Sequence, residues 1–177
     1  MTLDYHSTRR LMQIQIDSRE KARAIKKIVD EFDKQGIQHF ISKLYVGDYM
    51  SYDNPRLVVD RKQGLNEVCS NLCQQHERLR NEALRASNAG IKIIFLIEHG
   101  GGITSLEDVA RWKNPRGFKR VRTDTGTWHT IKTKAITGET LAKAMKTFAS
   151  RYGVEWQFCT KAQTGKRIIE ILSNSPD

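Results

Sequence analysis

The chain is short of cysteine, of long apolar runs and of acidic excess, and each shortage excludes a class of protein. Three cysteines, Cys69, Cys73 and Cys159, in 177 residues are too few and too odd in number for a disulfide framework, which points to a reducing, intracellular setting. The longest apolar run, residues 91 to 97, contains Lys92 and is far shorter than the ~18 to 20 residues a membrane-crossing helix needs. The opening MTLDYHSTRRLMQ has no apolar h-region, so a secretory signal is not expected. Internal repeats and low-complexity tracts are absent. The glycines at 100 to 102 are not followed by a Lys-Ser or Lys-Thr pair, which removes a phosphate-binding P-loop. His39, His99 and His129 have no metal-ligand spacing. Cys69, Cys73 and His76 share a helix-like stretch, but no fourth zinc ligand stands near, and cysteines buried against a sheet are the ordinary reading.

What the chain does have is positive charge, 30 Lys and Arg against 20 Asp and Glu. Residues 1 to 110 carry 16 basic and 15 acidic side chains, 111 to 134 carry 8 and 1, and 135 to 177 carry 6 and 4. The excess therefore sits in one window, RWKNPRGFKRVRTDTGTWHTIKTK, where Arg116, Lys119, Arg120 and Arg122 are interleaved with Trp112, Phe118 and Trp128. Cations that pair with phosphates, next to rings on which bases stack, describe a nucleic-acid contact surface. A solvated basic loop is the plainer alternative, and charge and stacking alone do not separate DNA from RNA.

Hydrophobic spacing gives the order of elements. Met12, Ile14 and Ile16 alternate as a strand ending at Asp17, and Asp17-Ser18 offers N-cap chemistry for a helix over 19 to 35, with Ile25, Ile28, Val29 and Phe32 on one face. Strands are expected at 37 to 43, 47 to 52 and 56 to 62, the last two joined by Asp53-Asn54-Pro55. A long helix over 65 to 86 and an apolar strand over 91 to 98 follow. Thr125-Gly126 is placed to turn a small hairpin, and Leu141, Met145 and Phe148 mark a helix that stops at Gly153. A strand (Val154, Trp156, Phe158) and a helix (Ile168, Ile169, Leu172) close the chain. This is an α/β fold with a mixed central sheet flanked by helices, a single domain over 1 to 177 with a basic insertion at about 99 to 135.

Chemistry concentrates in the hairpin. A three-residue turn at 53 to 55 pairs Tyr52 with Arg56, and the same register sets Asp48 opposite Asp60. Facing carboxylates about 5 Å apart repel and call for a cation or a proton between them. Lys62 shares the face of Asp60 by period-2 alternation. Two acids and an amine suit Mg²⁺-dependent phosphodiester hydrolysis. The alternative is that Asp48 caps a turn after Gly47 while Asp60 pairs with Arg61 or Lys62 on a wet surface.

The segments IQIDSRE (14 to 20), VGDY (46 to 49) and LVVDRK (57 to 62) resemble the XPF-type structure-specific endonuclease domain of the PD-(D/E)xK superfamily, with its GD dipeptide and ERKxxxD signature. The resemblance covers 12 to 98 and the closing elements, but not 99 to 134. It implies a restriction-endonuclease-like fold, a stand-alone prokaryotic or phage member, and cleavage of branched or structured DNA in repair or recombination. It further implies Asp48 and Asp60 as ligands of Mg²⁺ or Mn²⁺, Lys62 as the group positioning the attacking water, and Asp17 and Glu20 at the edge of the site. Arg19 and Arg61 would support its geometry or contact phosphate, with Arg78 and Arg80 near the substrate. Glu98 is a candidate supporting residue at the end of its strand. Two departures stand out: Asp60 replaces the usual Glu, and Asn66, followed by Glu67, takes the place of the last acid. Asn66 leaves open a DNA-binding protein without activity, and in place of the helix-hairpin-helix module that supports pairing and DNA recognition in the family, the basic window is the expected substitute. A homodimer is possible, and the expected location is cytoplasmic, associated with the nucleoid.

Overall fold

The computed structural model describes residues 12 to 173. Six strands form one mixed sheet in the order β2-β1-β3-β4-β5-β8: β1 (Gln13–Asp17), β2 (Gln38–Ser42), β3 (Tyr49–Ser51), β4 (Asn54–Lys62), β5 (Lys92–Glu98) and β8 (Glu155–Cys159). β1 runs parallel to β2, the β1-β3-β4 steps are antiparallel, and β4, β5 and β8 are parallel. Helices cover both faces, which is why β5 reads as a nearly continuous apolar run and β4 carries a shorter one at Leu57-Val58-Val59. On one side, Ile25, Ile28 and Phe32 of α1 (Ala22–Lys34) and Ile168, Ile169 and Leu172 of α6 (Thr164–Ser173) pack on Val59, Ile94 and Leu96. On the other, α2 (Leu65–Cys73), α3 (His76–Asn88) and α5 (Gly138–Tyr152) pack on Val58, Ile93, Phe95 and Ile97.

Period-2 alternation along β4 and β5 thus decides which layer each polar residue at the strand ends enters. Asp60 and Lys62 continue the Val58 side, towards α2 and α3. Arg61 and Glu98 continue the Val59 and Leu96 side, towards α1 and α6.

Several elements differ from the sequence reading. The expected helix over 65 to 86 is two helices, broken at Gln74-Gln75 between α2 and α3. Cys69 is buried but Cys73 is exposed, because the break turns the end of α2 away from the sheet. Helix α1 begins at Ala22, with no side chain capping it; Asp17 is drawn instead to the Arg19 and Leu44 amides, at 2.8 and 2.7 Å. The hairpin turn is two residues, Tyr52 and Asp53, with Ser51 facing Asn54, so Tyr52 does not pair with Arg56. Residues 55 to 57 of β4 are absorbed in an irregularity, and Tyr49 still faces Val59. The two changes cancel, so the register next to Asp48 is the one a three-residue turn would give; a two-residue turn alone would have reversed the faces.

A short helix, α4 (Leu106–Arg111), precedes α5, and between them the chain makes a 3-10 turn (Pro115–Gly117) and a two-stranded ribbon, β6 (Phe118–Arg122) with β7 (Trp128–Lys132). Gly138, at the start of α5, lies so close to the carbonyls of Val109 and Trp112 that a Cβ there would collide with backbone. No described helix is long and apolar enough to cross a membrane.

Candidate active site

Where β3 and β4 emerge beside α2 and α3 there is a cleft of about 230 Å³ whose lining includes Asp48, Asp60, Lys62, Glu67 and Glu82. Gly47 makes the approach to it possible. Its φ is +72°, and a Cβ would come within 3.0 Å of the Val58 side chain, so only glycine lets the chain turn Asp48 inward here. The Asp48 amide donates to the Val59 carbonyl at 2.9 Å, and its Oδ2 accepts from the Arg61 amide at 2.8 Å. The side chain is thereby fixed against the end of β4.

Asp60 and Lys62 are each 4% exposed. The Lys62 ammonium lies 2.5 Å from Asp60 Oδ1, and 5.2 Å from the centre of the Phe95 ring. Oδ1 is otherwise buried without a hydrogen-bond donor, so the ion pair is what balances it. Burial pushes the Asp48 carboxyl well above its ordinary value, and the charges of Asp60 and Glu20 push it further. Burial also raises Glu82, with Asp60 adding to it. Lys62 behaves oppositely. Burial alone would lower its pKa, but the pull of Asp60 and Asp48 prevails and raises it, so Lys62 is an ammonium at neutral pH.

The other side of β4 holds a second, interlocked set. Arg61 donates from Nε and Nη2 to Glu20 Oε2 at 3.0 and 2.8 Å, and from Nη1 to Glu98 Oε2 at 3.2 Å. Tyr49 Oη donates to the same Glu20 oxygen at 2.9 Å, and Thr164 Oγ1, at the start of α6, donates to Glu98 Oε1 at 2.8 Å. Glu98 thus braces Arg61 as a supporting residue. Arg61 is 5% exposed and lines the cleft, with its guanidinium bonded to these two carboxylates.

Among the other residues singled out, Arg19, Glu20 and Arg78 line the cleft. Arg80 is exposed on α3 and does not line it. Asp17, fully buried, spends its carboxylate on the Leu44 and Arg19 amides and the Arg19 guanidinium; these bonds outweigh the effect of burial and lower its pKa. It clasps the β1 and β2 ends from outside the cleft lining. Asn66 is partly buried with Oδ1 unbonded, while Glu67 next to it lines the cleft. Sequence reasoning missed Glu82 and Arg85, which enter the cleft from α3, and the bracing by Tyr49 and Thr164. The first pair depends on α3 lying beside Gly47, whose amide meets Glu82 across 35 residues. The second pair depends on contacts across 29 and 66 residues. A broader hollow of about 520 Å³ beside β2 gathers no comparable set of groups.

The ERCC4 domain model matches residues 16 to 172. The chain belongs to the ERCC4 domain family. Within this ERCC4 domain the match runs through the ribbon as well as the α/β body. Two solved structures are similar in fold. "XPF from Aeropyrum pernix" has 17% identity and a TM-score of 0.57, covering 90% of this chain and 63% of that one. "XPF from Aeropyrum pernix, complex with DNA" has 16% identity and a TM-score of 0.59, covering 91% and 63%. The ERCC4 domain described here therefore spans under two thirds of the length of those structures. No curated protein sequence matches the chain.

The donor set fits a hard dication. Two hard carboxylates meet in a buried place, one with an oxygen lacking any hydrogen bond and the other held towards its neutral form by the crowding of negative charge. Among the described residues no cluster of three or more His, Cys, Asp and Glu is arranged as a ready-made cage. Mg²⁺ commonly takes only one or two protein carboxylates and keeps several waters.

Proposed function

We propose that the chain is a divalent-metal-dependent DNA endonuclease that hydrolyses phosphodiester bonds in branched or structured DNA, as in repair or recombination. The observation that carries this reading is the buried Asp48, Asp60 and Lys62 set, in which two carboxylates share one ammonium and Asp48 is raised. Asp48 and Asp60 would hold Mg²⁺ or Mn²⁺, which supplies a Lewis acid for the phosphate and a more acidic bound water. Lys62, being charged, orients the attacking water and offsets charge gathering on the phosphate; it does not act as the base. Arg61, gripped by Glu20 and Glu98, keeps the end of β4 rigid and presents its amide to Asp48. In the reaction the water oxygen bonds to phosphorus and gives up a proton to solvent, while the bond to one sugar oxygen breaks and that oxygen takes a proton from solvent. Arg19, Arg78 and Arg85 at the cleft lining are placed to meet the flanking phosphates.

The test is incubation of the purified chain with fork, flap, junction and linear DNA, with and without Mg²⁺ or Mn²⁺. Metal-dependent cleavage of branched substrates that is lost in Asp60→Ala, with DNA binding retained, is the expected result. Cleavage unchanged in Asp60→Ala removes the site assignment. Asn66 favours a second reading, a DNA-binding ERCC4 domain without activity, because it puts a neutral amide, its Oδ1 unbonded, where the family signature carries an acid. Binding with no cleavage under any metal selects that reading.

A further inference from the structure

The basic window is built as an arm with two unlike faces. Every residue of β6 and β7 is exposed, and the antiparallel pairing sets Phe118 opposite Lys132, Arg120 opposite Thr130 and Arg122 opposite Trp128. Directly opposed residues share a face, and alternate pairs switch faces. One face therefore carries Arg120, Arg122 and Lys132 with Phe118 and Trp128. The other carries Lys119, Val121, His129 and Ile131. The contact of the Arg120 guanidinium with the Trp128 ring, 5.4 Å from its centre, places those two on the same side. Three fixed cations thus lie on one face against one on the other.

The arm is anchored at its foot. Thr133 donates from its amide to the Gly117 carbonyl at 2.9 Å and from Oγ1 to the Arg116 carbonyl at 2.5 Å. An isolated two-stranded ribbon is marginal in water, and this one presents Phe118, Trp128 and Ile131 at 61%, 55% and 48% exposure. A surface that costs solubility without supporting the core is expected to have a ligand.

We propose that the Arg120, Arg122 and Lys132 face of the ribbon binds the groove and phosphates of a duplex arm of the DNA. This deepens the nuclease reading and rests on it. A two-stranded ribbon fits a major groove about 12 Å wide, and five residues at ~3.4 Å each span about half a duplex turn. Arg120 already lies over Trp128, so one side of that ring is occupied, which disfavours the indole as a platform for an unpaired base.

The test is fluorescence anisotropy of the full chain, without divalent metal, on a labelled duplex of about two helical turns and on a single strand of the same length. Arg120→Ala/Arg122→Ala/Lys132→Ala is expected to lose at least about tenfold in duplex affinity at ~0.1 M salt and to flatten the log-log salt slope by about 2 to 3. Lys119→Ala/His129→Ala is expected to flatten it by less than about 1. Arg120→Lys/Arg122→Lys, which keeps the charge, retains the slope. Equal losses from both faces, an unchanged slope in the triple variant, a slope lost even in the lysine variant, or tighter binding to the single strand overturns the proposal. Metal-dependent cleavage that still requires Asp60 alongside any of those results would sink the ribbon assignment alone. Intact ribbon binding without such cleavage would sink the nuclease reading alone.

Discussion

Replacing Lys62 by Met removes a charge while keeping a stem to lie over Phe95. The ammonium is 2.5 Å from Asp60 Oδ1, with the two side chains 5% and 6% exposed. Deleting one partner of such a buried pair costs about 3 to 5 kcal/mol, because the remaining charge stays out of water. The loss has a ceiling, since the Asp48 and Asp60 pair can take up a proton instead. Asp48 is already displaced upward. Protonating a carboxyl costs at most about 1.36 kcal/mol for each pH unit above ~3.9, which is about 4 kcal/mol at pH 7 and about 1.5 kcal/mol at pH 5. Urea unfolding followed by circular dichroism in EDTA is therefore expected to show Lys62→Met about 3 to 4 kcal/mol less stable than the native chain at pH 7, and no more than about 1.5 kcal/mol less stable at pH 5. Mg²⁺ is expected to recover more stability in the variant than in the native chain, since it replaces the missing positive charge. A deficit below about 1 kcal/mol at pH 7, or one equal at both pH values, would refute the claim that the carboxylates depend on this ammonium.

Other expectations follow from the same network and from the helix joint. In metal-free native protein, Asp48 and Glu82 are raised in the folded state, so their contribution is present at low pH and is lost as pH rises through their folded values. Stability then falls from about pH 4.5 towards 7. Asp17, being lowered, costs stability only as pH falls below about 4. Glu82→Gln is expected to flatten the upper slope, read from urea midpoints across that range. Thr164→Val strips Glu98 Oε1 of its donor and is expected to cost about 1 to 3 kcal/mol, with Thr164→Ser recovering most of it in thermal melts. Gly138→Ala drives a methyl into the Val109 and Trp112 carbonyls and is expected to cost about 3 kcal/mol or more; a melting temperature within a degree of native would show that the α4 to α5 joint yields.

The mixed sheet and its covering by helices on both faces were legible because β5 is apolar over Ile93 to Ile97, β4 carries Leu57-Val58-Val59, and α1 keeps strict helical spacing. The meeting of Asp48 and Asp60 in one cleft followed from pattern too, but through a turn that differs from the expected one. Proline and the residues after it bulge out of the ladder, and an odd number of extra residues restores the parity. The break at Gln74-Gln75 was hidden because Leu72 and Leu79 keep a helical phase across it, so hydrophobic spacing alone reads straight through. Glu82 was invisible for another reason: it meets the cleft only because α3 lies beside Gly47, 35 residues away. Arg61 was read as a residue of the site, yet its burial between Glu20 and Glu98 depends on β5 and α6 arriving beside β4, which no local spacing encodes. Lys119 and Arg120 looked equivalent in the sequence, and only the pairing of β6 with β7 sends them to opposite faces.

The tie between Asn114 Nδ2 and the Ile136 carbonyl, 2.9 Å long, joins the two ends of the excursion that carries the ribbon. Both ends meet above a joint of backbone on backbone, at Gly138, that makes no use of the ribbon itself. The α/β body therefore offers a socket in which a hairpin of another length or charge can be seated without re-registering a strand. If the ribbon binds a duplex arm as proposed, exchanging that one module would change DNA preference while the acidic cleft stays as it is.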